Sequence, residues 1–174
     1  MNIWQAIILS IIEGITEFLP VSSTGHLILA SSILKIPASE FVKTFEIAIQ
    51  LGAVLAVVGV FGRQTWNNFK LWGKIAAAFV PTAMFGLMFY KPIKIYLLGN
   101  TSVVLWSLLL GGVVLIVFER FIKKGKDSID GLNWKTAVGI GLAQSVSMVP
   151  GVSRAAATIV GGMVLGLSRE EATK

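Results

Sequence analysis

Two short segments place acidic, hydroxyl and basic side chains inside otherwise apolar sequence. The first, EGITEFLPVSSTGHL from Glu13 to Leu27, carries two carboxylates, a cluster of hydroxyls and the single histidine of the chain. It lies between the apolar segments 3–12 and 28–34. Ionisable groups within membrane segments are costly and usually face a water-filled cavity or a partner, so this segment predicts a functional site. The alternative is a solvated loop between two helices.

The two carboxylates have the spacing of a helical pair. Glu13 and Glu17 are four residues apart, which places them on one face of a helix. Such a pair can hold a hard divalent cation (Mg²⁺ or Ca²⁺) through oxygen, or one member can act as a general base. With no cysteine and one histidine in the chain, any metal would need oxygen ligands. The alternative is repulsion relieved by a basic neighbour, but no Lys or Arg is near in sequence.

A hydroxyl cluster follows the carboxylates. Ser22, Ser23 and Thr24 precede an apolar half-helix, where hydroxyls cap free N–H groups. A helix N-terminus also attracts anions, so the functional interpretation adds a bound phosphate. His26, one turn inside, is a candidate nucleophile or proton donor. Capping alone, and an ordinary polar histidine, are the alternatives.

The second segment supplies a permanent positive charge. In VPGVSR, residues 149–154, Arg154 offers a planar fork that matches phosphate oxygens, and an unpaired buried guanidinium would be costly. A diphosphate would satisfy Arg154, the hydroxyls and a glutamate-bound cation in one arrangement, as in phosphoryl transfer. Gln50 and Gln144 are expected to support this site.

The composition is that of an integral membrane protein. Hydrophobic residues make up 55% of the 174 residues and charged residues only 14%, with a mean hydropathy of +0.79, whereas soluble domains have about 25% charged residues. The net charge of +6 comes from basic residues between the apolar segments, not from one basic stripe, so no nucleic acid is expected as a partner.

The apolar pattern predicts an all-α polytopic fold. Segment 3–34 is interrupted at Pro20 and its halves are too short to span a bilayer, so we expect a re-entrant pair of half-helices. Three full spans are expected at 41–61, 75–90 and 101–118.

The connecting segments predict the orientation of the spans. A polar loop at 62–74, with Trp66 and Trp72 as interfacial anchors, and a turn at 91–100 are expected between the spans. The first of these loops and the segment after the third span lie on one face, which carries more basic residues and is predicted to be cytoplasmic; these residues include Arg63, Lys123, Lys124 and Lys126.

An internal repeat changes the interpretation of the fold. Setting Trp4 against Trp134, an offset of 130 residues, also aligns Pro20 with Pro150 and Ser23 with Ser153. Three spans lie between the copies, and an odd number predicts an inverted-topology repeat whose broken helices meet near the midplane. The single membrane domain then divides into a first repeat at 1–133 and the start of a second at 134–174, with a re-entrant pair at 135–167. The alternative is chance similarity between apolar stretches.

The repeat length has a consequence for the second copy. Two units of about 130 residues need about 260, but only 41 residues follow from Trp134 onward. We therefore expect the counterparts of the first copy's full spans to be missing. Either the chain is a fragment, or a second chain completes the fold, for instance as a homodimer.

Three segments carry a family resemblance: EGITEFLPVSSTGHLIL, FEIAIQLGAVLAV and PGVSRAAAT. With them the whole chain resembles the bacterial undecaprenyl-diphosphate phosphatases of the bacitracin-resistance type. The resemblance implies a multi-pass enzyme of the bacterial plasma membrane that removes the terminal phosphate of undecaprenyl diphosphate and recycles the lipid carrier for peptidoglycan synthesis. It also implies a divalent cation, a site between two re-entrant pairs, and competition by bacitracin for the same lipid.

The resemblance also implies roles for individual residues. It makes Glu13 and Glu17 metal or acid–base carboxylates and His26 a catalytic group. The expected phosphate contacts come from both motifs and are Ser22, Ser23, Thr24, Ser153, Thr158 and Arg154, the last as the diphosphate clamp.

One departure from the family pattern favours an alternative. The family usually has serine and glycine after the arginine, whereas this chain has Ala155 and Ala156. Loss of the hydroxyl puts activity in doubt, and the extra methyl group is expected to crowd the helix end. The alternatives to the phosphatase are an inactive truncated homologue and a polyprenyl-phosphate transporter, because midplane half-helices are also transporter architecture.

Overall fold

The computed structural model describes residues 1–65, 68–97, 100–121 and 132–173, and these residues are mainly helical. A π-helical turn, Ile93–Leu97, continues the fourth helix, and a 3-10 turn, Val146–Met148, continues the sixth. The predicted all-α class is confirmed. The α-helices are α1 Ile3–Thr16, α2 Ser23–Ile33, α3 Glu40–Thr65, α4 Phe69–Pro92, α5 Thr101–Phe121, α6 Trp134–Ser145, α7 Arg154–Val164 and α8 Arg169–Thr173.

Among the described residues, three stretches are long and apolar enough to cross a membrane. They are Glu40–Val60, Phe69–Leu97 and Thr101–Arg120. The spans predicted at 41–61, 75–90 and 101–118 fall within α3, α4 and α5. The short helices α1 with α2, and α6 with α7, occupy the segments predicted as re-entrant pairs; their insertion into one leaflet stays a prediction.

Two segments predicted as connections are largely helical. α3 continues to Thr65, and α4 begins at Phe69, where the Asn68 side chain accepts a hydrogen bond from the Leu71 amide at 3.1 Å. The π-helical turn then extends α4 to Leu97, so most of the turn predicted at 91–100 is helix. The predictions were wrong because polar residues mark where a helix leaves an apolar environment, not where its hydrogen bonding ends. Trp66, Lys123, Lys124, Lys126 and the Arg63 side chain lie outside the described residues, so the predicted orientation is not tested.

The pairs α1–α2 and α6–α7 are structural repeats of each other. Asn2 and Asn133 cap the first helix of each pair, and each side chain accepts a hydrogen bond of 2.9 Å from a backbone N–H. Ser22 and Ser153 cap the second helices, which are both 11 residues long. The repeat seen in the sequence is therefore present in the backbone.

The register of the repeat differs by one residue from the sequence alignment. The capping pairs Asn2 with Asn133 and Ser22 with Ser153 give an offset of 131, not 130. Pro20 therefore corresponds to Gly151 and not to Pro150. A cap must precede the first helical turn, whereas a proline in the connecting loop can shift by one residue. The same register sets Glu13 against Gln144.

Each pair is held by different long helices. A buried cluster of Leu9, Leu27, Ile36 and Val42 joins α1 and α2 to the start of α3. The pair α6–α7 packs on α4 instead, where the Thr82 hydroxyl donates to the Gly141 carbonyl at 2.9 Å.

Gly141 allows α4 and α6 to approach this closely. A Cβ atom at Gly141 would lie 1.9 Å from the Ala78 carbonyl oxygen, which is a clash with backbone. We expect Gly141→Ala to lower the stability of the protein by about 3 kcal/mol, because α6 must move away from α4. Thermal melting in detergent measures the loss. The matched control is Gly59→Ala in α3, where an added Cβ has no atom within 4 Å among the described residues; an equal effect of both substitutions would contradict this explanation.

Candidate active site

The two motifs meet at an ion pair. Nη2 of Arg154 lies 2.6 Å from Oε1 of Glu17, although the residues are 137 positions apart in the chain. The other oxygen of Glu17 accepts a hydrogen bond of 2.5 Å from Ser23. The Glu17 side chain is only 10% exposed, so this pair is largely removed from solvent on the acidic side. The basic partner that the first motif lacks in sequence is therefore supplied by the second.

A small polar cavity of about 200 Å³ surrounds this ion pair. This volume is several times the roughly 30 Å³ that one water molecule occupies in the liquid, which leaves room for a group as large as a diphosphate. The lining residues come from both motifs and from α3, and they are Glu17, Val21, Ser22, Ser23, Thr24, Gln50, Ser147, Val149, Pro150, Gly151, Val152, Ser153 and Arg154.

The N-termini of α2 and α7 both lie at this cavity. The Ser22 side chain accepts a hydrogen bond from the Gly25 amide at 3.4 Å, and the Ser153 side chain accepts one from the Ala156 amide at 3.1 Å. Both serines use an acceptor position for capping, which leaves their own O–H groups to donate. Two positive helix ends, two hydroxyl donors and Arg154 make the cavity suitable for an anion.

Helix α5 brings the two motif loops together. A Cβ atom at Gly25 would lie 2.8 Å from the Leu108 side chain, and one at Gly151 would lie 2.7 Å from the Val104 carbonyl oxygen. Gly151 also has a φ of +93°, a backbone conformation that side chains disfavour. Gly25 at the start of α2 and Gly151 in the second motif therefore contact the same turn of α5, and at Gly151 a side chain would clash with backbone.

Glu13 is buried directly behind the ion pair. Its residue exposure is 1%, and neither carboxylate oxygen has a hydrogen-bond partner among the described residues. The charges of Glu17, Arg154 and Glu46 all act on it. An ionised carboxylate in such a position requires a compensating positive charge, but the nearest guanidinium already pairs with Glu17.

The two carboxylates offer oxygen donors, the kind of ligand that Mg²⁺ and Ca²⁺ take. Within the described ranges no three His, Cys, Asp or Glu side chains converge as a complete protein metal site. Mg²⁺ is commonly held by only one or two carboxylates, with substrate phosphates and waters as its other ligands. Glu13 and Glu17 are the carboxylates that would hold such a cation. Glu13 does not itself line the polar cavity, and both oxygens of Glu17 already have partners, so the cation stays a prediction.

His26 lies at a second, larger cavity. Its Nδ1 lies 2.7 Å from the Ser22 carbonyl oxygen, and because a carbonyl only accepts, Nδ1 carries the proton. The ring lines a mostly apolar cavity of about 890 Å³ between α5, α6 and α7, not the polar cavity. The two cavities adjoin, since six residues of the motif loops line both: Val21, Ser22, Val149, Gly151, Val152 and Ser153.

The remaining predicted site residues divide into two groups. Thr24 and Gln50 line the polar cavity as expected. Thr158 and Gln144 do not line it: the Thr158 hydroxyl donates to the Arg154 and Ala155 carbonyls at 3.1 Å, and Gln144 accepts a 2.7 Å bond from Ser147 through its backbone oxygen. A phosphate contact by Thr158 is not supported by this arrangement, because its hydroxyl bonds to its own helix.

The chain matches a known protein family over nearly its whole length. The family described as "Bacitracin resistance protein BacA" matches residues 6–174. The chain belongs to the BacA family. It is similar to proteins named undecaprenyl-diphosphatase from Aquifex aeolicus (47% identity, 100% of this chain, 69% of the relative), Wolinella succinogenes (47%, 100%, 68%) and Thermus thermophilus (44%, 100%, 68%). The family resemblance drawn from the sequence motifs is confirmed.

This BacA-family site contains residues that the sequence did not single out. Ser147 lines the polar cavity from the 3-10 turn, and the turn of α5 at Val104 to Leu108 supports both loops. No motif marks them, because Ser147 resembles other small polar residues and α5 is uniformly apolar. One signal could have found Ser147: in the register of the repeat it aligns with Thr16, a polar residue of the first motif.

The departure at Ala155 and Ala156 does not distort this BacA-family motif. The Ala156 amide keeps its capping bond to Ser153, and the Ala156 side chain lines the apolar cavity. The crowding expected at this helix end is not observed, because the methyl group points toward open space between α5 and α7.

Proposed function

We propose that the chain is a membrane hydrolase that converts undecaprenyl diphosphate into undecaprenyl phosphate and inorganic phosphate. The observation that carries this proposal is the junction of the two cavities. A polar cavity containing Arg154, two helix N-termini and serine hydroxyls fits the diphosphate, and the adjoining apolar cavity fits the first part of a polyprenyl chain. The names of the relatives support the same substrate.

The residues of the chain have distinct tasks in this reaction. Arg154 has five N–H donors, so it can keep its bond to Glu17 and donate others to phosphate oxygens. The Ser22 and Ser153 hydroxyls donate from the two helix ends. Water attacks the terminal phosphorus, and its oxygen becomes part of inorganic phosphate, which keeps one of its protons and loses the other to solvent. The bond from this phosphorus to the bridging oxygen breaks, the bridging oxygen leaves with undecaprenyl phosphate, and the negative charge that develops on it is stabilised by these donors.

A divalent cation is part of the proposal. Glu13 and Glu17 would hold it, and it would neutralise phosphate charge in the transition state. His26, whose Nδ1 is held by the Ser22 carbonyl, has Nε2 free for proton transfer within the described residues; its catalytic role stays a prediction because it borders the apolar cavity.

We also propose where the protein acts in the cell and what competes for its substrate. We place the protein in the bacterial plasma membrane as a multi-pass enzyme that recycles the lipid carrier for peptidoglycan and cell-wall synthesis. Bacitracin would compete for the same lipid, and association into a homodimer stays a prediction.

Phosphate release from undecaprenyl diphosphate tests the proposal. The purified 174-residue chain in detergent with Mg²⁺ or Ca²⁺ should release one phosphate per lipid, and EDTA should stop the release. Movement of polyprenyl phosphate across liposomes without any phosphate release would contradict the proposal.

A further inference from the structure

We propose that Gln50 is a diphosphate-binding residue that donates its side-chain N–H group to a phosphate oxygen in the polar cavity. This inference rests on the proposed function and deepens it. Of the described residues that line the cavity, Gln50 alone comes from one of the three membrane-crossing stretches. The other lining residues belong to the two motif segments, apart from Ser147 on the 3-10 turn just before the second motif.

The helical phase of α3 places Gln50 toward the site. Val42 and Ala53 on this helix are buried, and Phe45 and Ile49 pack against the core around α1 and α2. These positions recur every three to four residues and define the inward face. Gln50 lies one turn after Glu46, at the edge of this face. It is half-buried and lines the polar cavity.

A second polar residue fixes this orientation. Glu46, one turn before Gln50, accepts a hydrogen bond of 3.4 Å from Ser31 of α2. This bond holds α3 against the helix that begins at Ser23. The rotation of α3 is therefore set by contacts on both sides of Gln50.

Gln50 is one of the few cavity groups that is still available for a ligand. Glu17 accepts from both Ser23 and Arg154, and Ser147 donates to the backbone, whereas the remaining N–H groups of Arg154 stay available. The Gln50 carboxamide has no partner in the part of the chain that the structure describes. A polar side chain without a partner inside a membrane segment is costly unless it meets water or a ligand.

The Gln50 amide is a neutral donor that approaches the cavity from α3 and not from either motif. Arg154 approaches the anion from one side with a full charge, while Gln50 approaches from α3 with a neutral donor. A neutral donor adds a hydrogen bond to a phosphate oxygen without repelling a cation held by Glu13 and Glu17. We therefore expect Gln50 to contribute to substrate binding more than to the chemical step.

Two substitutions at Gln50 test this inference. Gln50→Leu removes the donor, and Gln50→Glu keeps the shape but replaces the donor with a negative charge. We expect KM for undecaprenyl diphosphate to rise about tenfold in the first and about 100-fold in the second, with kcat changed by less than about threefold. The control is Thr44→Val, an exposed position of α3 whose hydroxyl bonds to the Glu40 carbonyl at 2.8 Å; it should leave KM unchanged.

Binding of inorganic pyrophosphate separates this inference from the proposed function. Titration of the same variants with pyrophosphate and Mg²⁺ should show the same order of weakening, whether or not the chain hydrolyses lipid. Unchanged KM and pyrophosphate affinity in Gln50→Glu would overturn the inference, as would a lowered melting temperature without any change in binding.

If wild type binds pyrophosphate with this dependence on Gln50 but releases no phosphate, the inference holds and the proposed hydrolysis fails. If wild type neither hydrolyses lipid nor binds pyrophosphate, both are overturned.

Discussion

Replacing Arg154 with alanine is expected to lower kcat/KM for undecaprenyl diphosphate by about 1,000-fold, the range found when a catalytic arginine is removed in phosphoryl transfer. The loss has two physical causes. The phosphate loses its one charged donor among the described lining residues, and Glu17 is left as an unpaired, nearly buried carboxylate. Arg154→Lys keeps the charge but loses the planar fork, so we expect a loss of about 10- to 100-fold. Steady-state phosphate release measures both variants.

The chain offers a matched control for this substitution. Nη1 of Arg169 lies 2.6 Å from Oε1 of Glu119, the same separation as in the Arg154 pair, but both side chains are well exposed, at 72% and 67%. Such a surface pair contributes about 0–1 kcal/mol. Arg169→Ala should leave kcat/KM unchanged. Equal losses in Arg154→Ala and Arg169→Ala would show that removal of any arginine damages the fold and would contradict a specific role for Arg154.

The second large effect is expected at Glu13. Gln is nearly isosteric with Glu, so Glu13→Gln keeps the packing of this 1% exposed residue but removes the charge that a cation needs. We expect activity at low Mg²⁺ to fall by about 100-fold and the Mg²⁺ concentration for half-maximal activity to rise by at least about tenfold. In the absence of lipid, Mg²⁺ with pyrophosphate should raise the melting temperature of wild type and not that of Glu13→Gln.

Glu119→Gln provides the control at an exposed carboxylate. It should leave the Mg²⁺ dependence and the melting response as in wild type, because Glu119 is exposed and does not line the polar cavity. A Glu13→Gln variant that keeps the wild-type Mg²⁺ dependence would show that the unpartnered oxygens of Glu13 do not bind the cation.

The elements of the fold were predictable because they depend on local sequence. The apolar stretches predicted the three long helices. The hydroxyl cluster predicted a second half-helix after Ser22 to Thr24, and α2 begins at Ser23. The helix ends were less predictable, since Gly62 to Thr65 and Ile93 to Leu97 are polar or mixed in sequence and yet helical. Hydrophobicity reports the environment of a helix, whereas its end depends on caps such as Asn68.

The pairing of the two motifs could be proposed from chemistry alone. Two glutamates without a basic neighbour, and an arginine without an acidic one, predicted a shared ligand, and the structure brings Glu17 and Arg154 together. The register of the repeat was missed by one residue because the alignment relied on tryptophan and proline. The capping residues Asn2 and Asn133 give the structural register, but they acquire this meaning only when helix boundaries are known.

The positions of His26 and Thr158 could not be predicted because they depend on tertiary packing. His26 was expected beside the phosphate, but α5 and α7 enclose an apolar cavity on the side of α2 where its ring lies. Thr158 follows Arg154 by one turn, and its hydroxyl bonds to the helix backbone. The spacing between a residue and a motif determines the helix face on which the residue lies. It does not determine which side chains of neighbouring helices pack against that face.

A double-mutant cycle between Glu17 and Arg154 tests most directly whether the two motifs form one site on one headgroup. Phosphate release is measured for Glu17→Gln, Arg154→Ala and the double variant, with Glu119→Gln and Arg169→Ala as the matched surface pair. If both motifs bind the same diphosphate, the double variant should lose about as much kcat/KM as the more damaging single variant, because each change disables the same unit. Losses that multiply in the double variant would mean that Glu17 and Arg154 act independently, and would contradict a shared site.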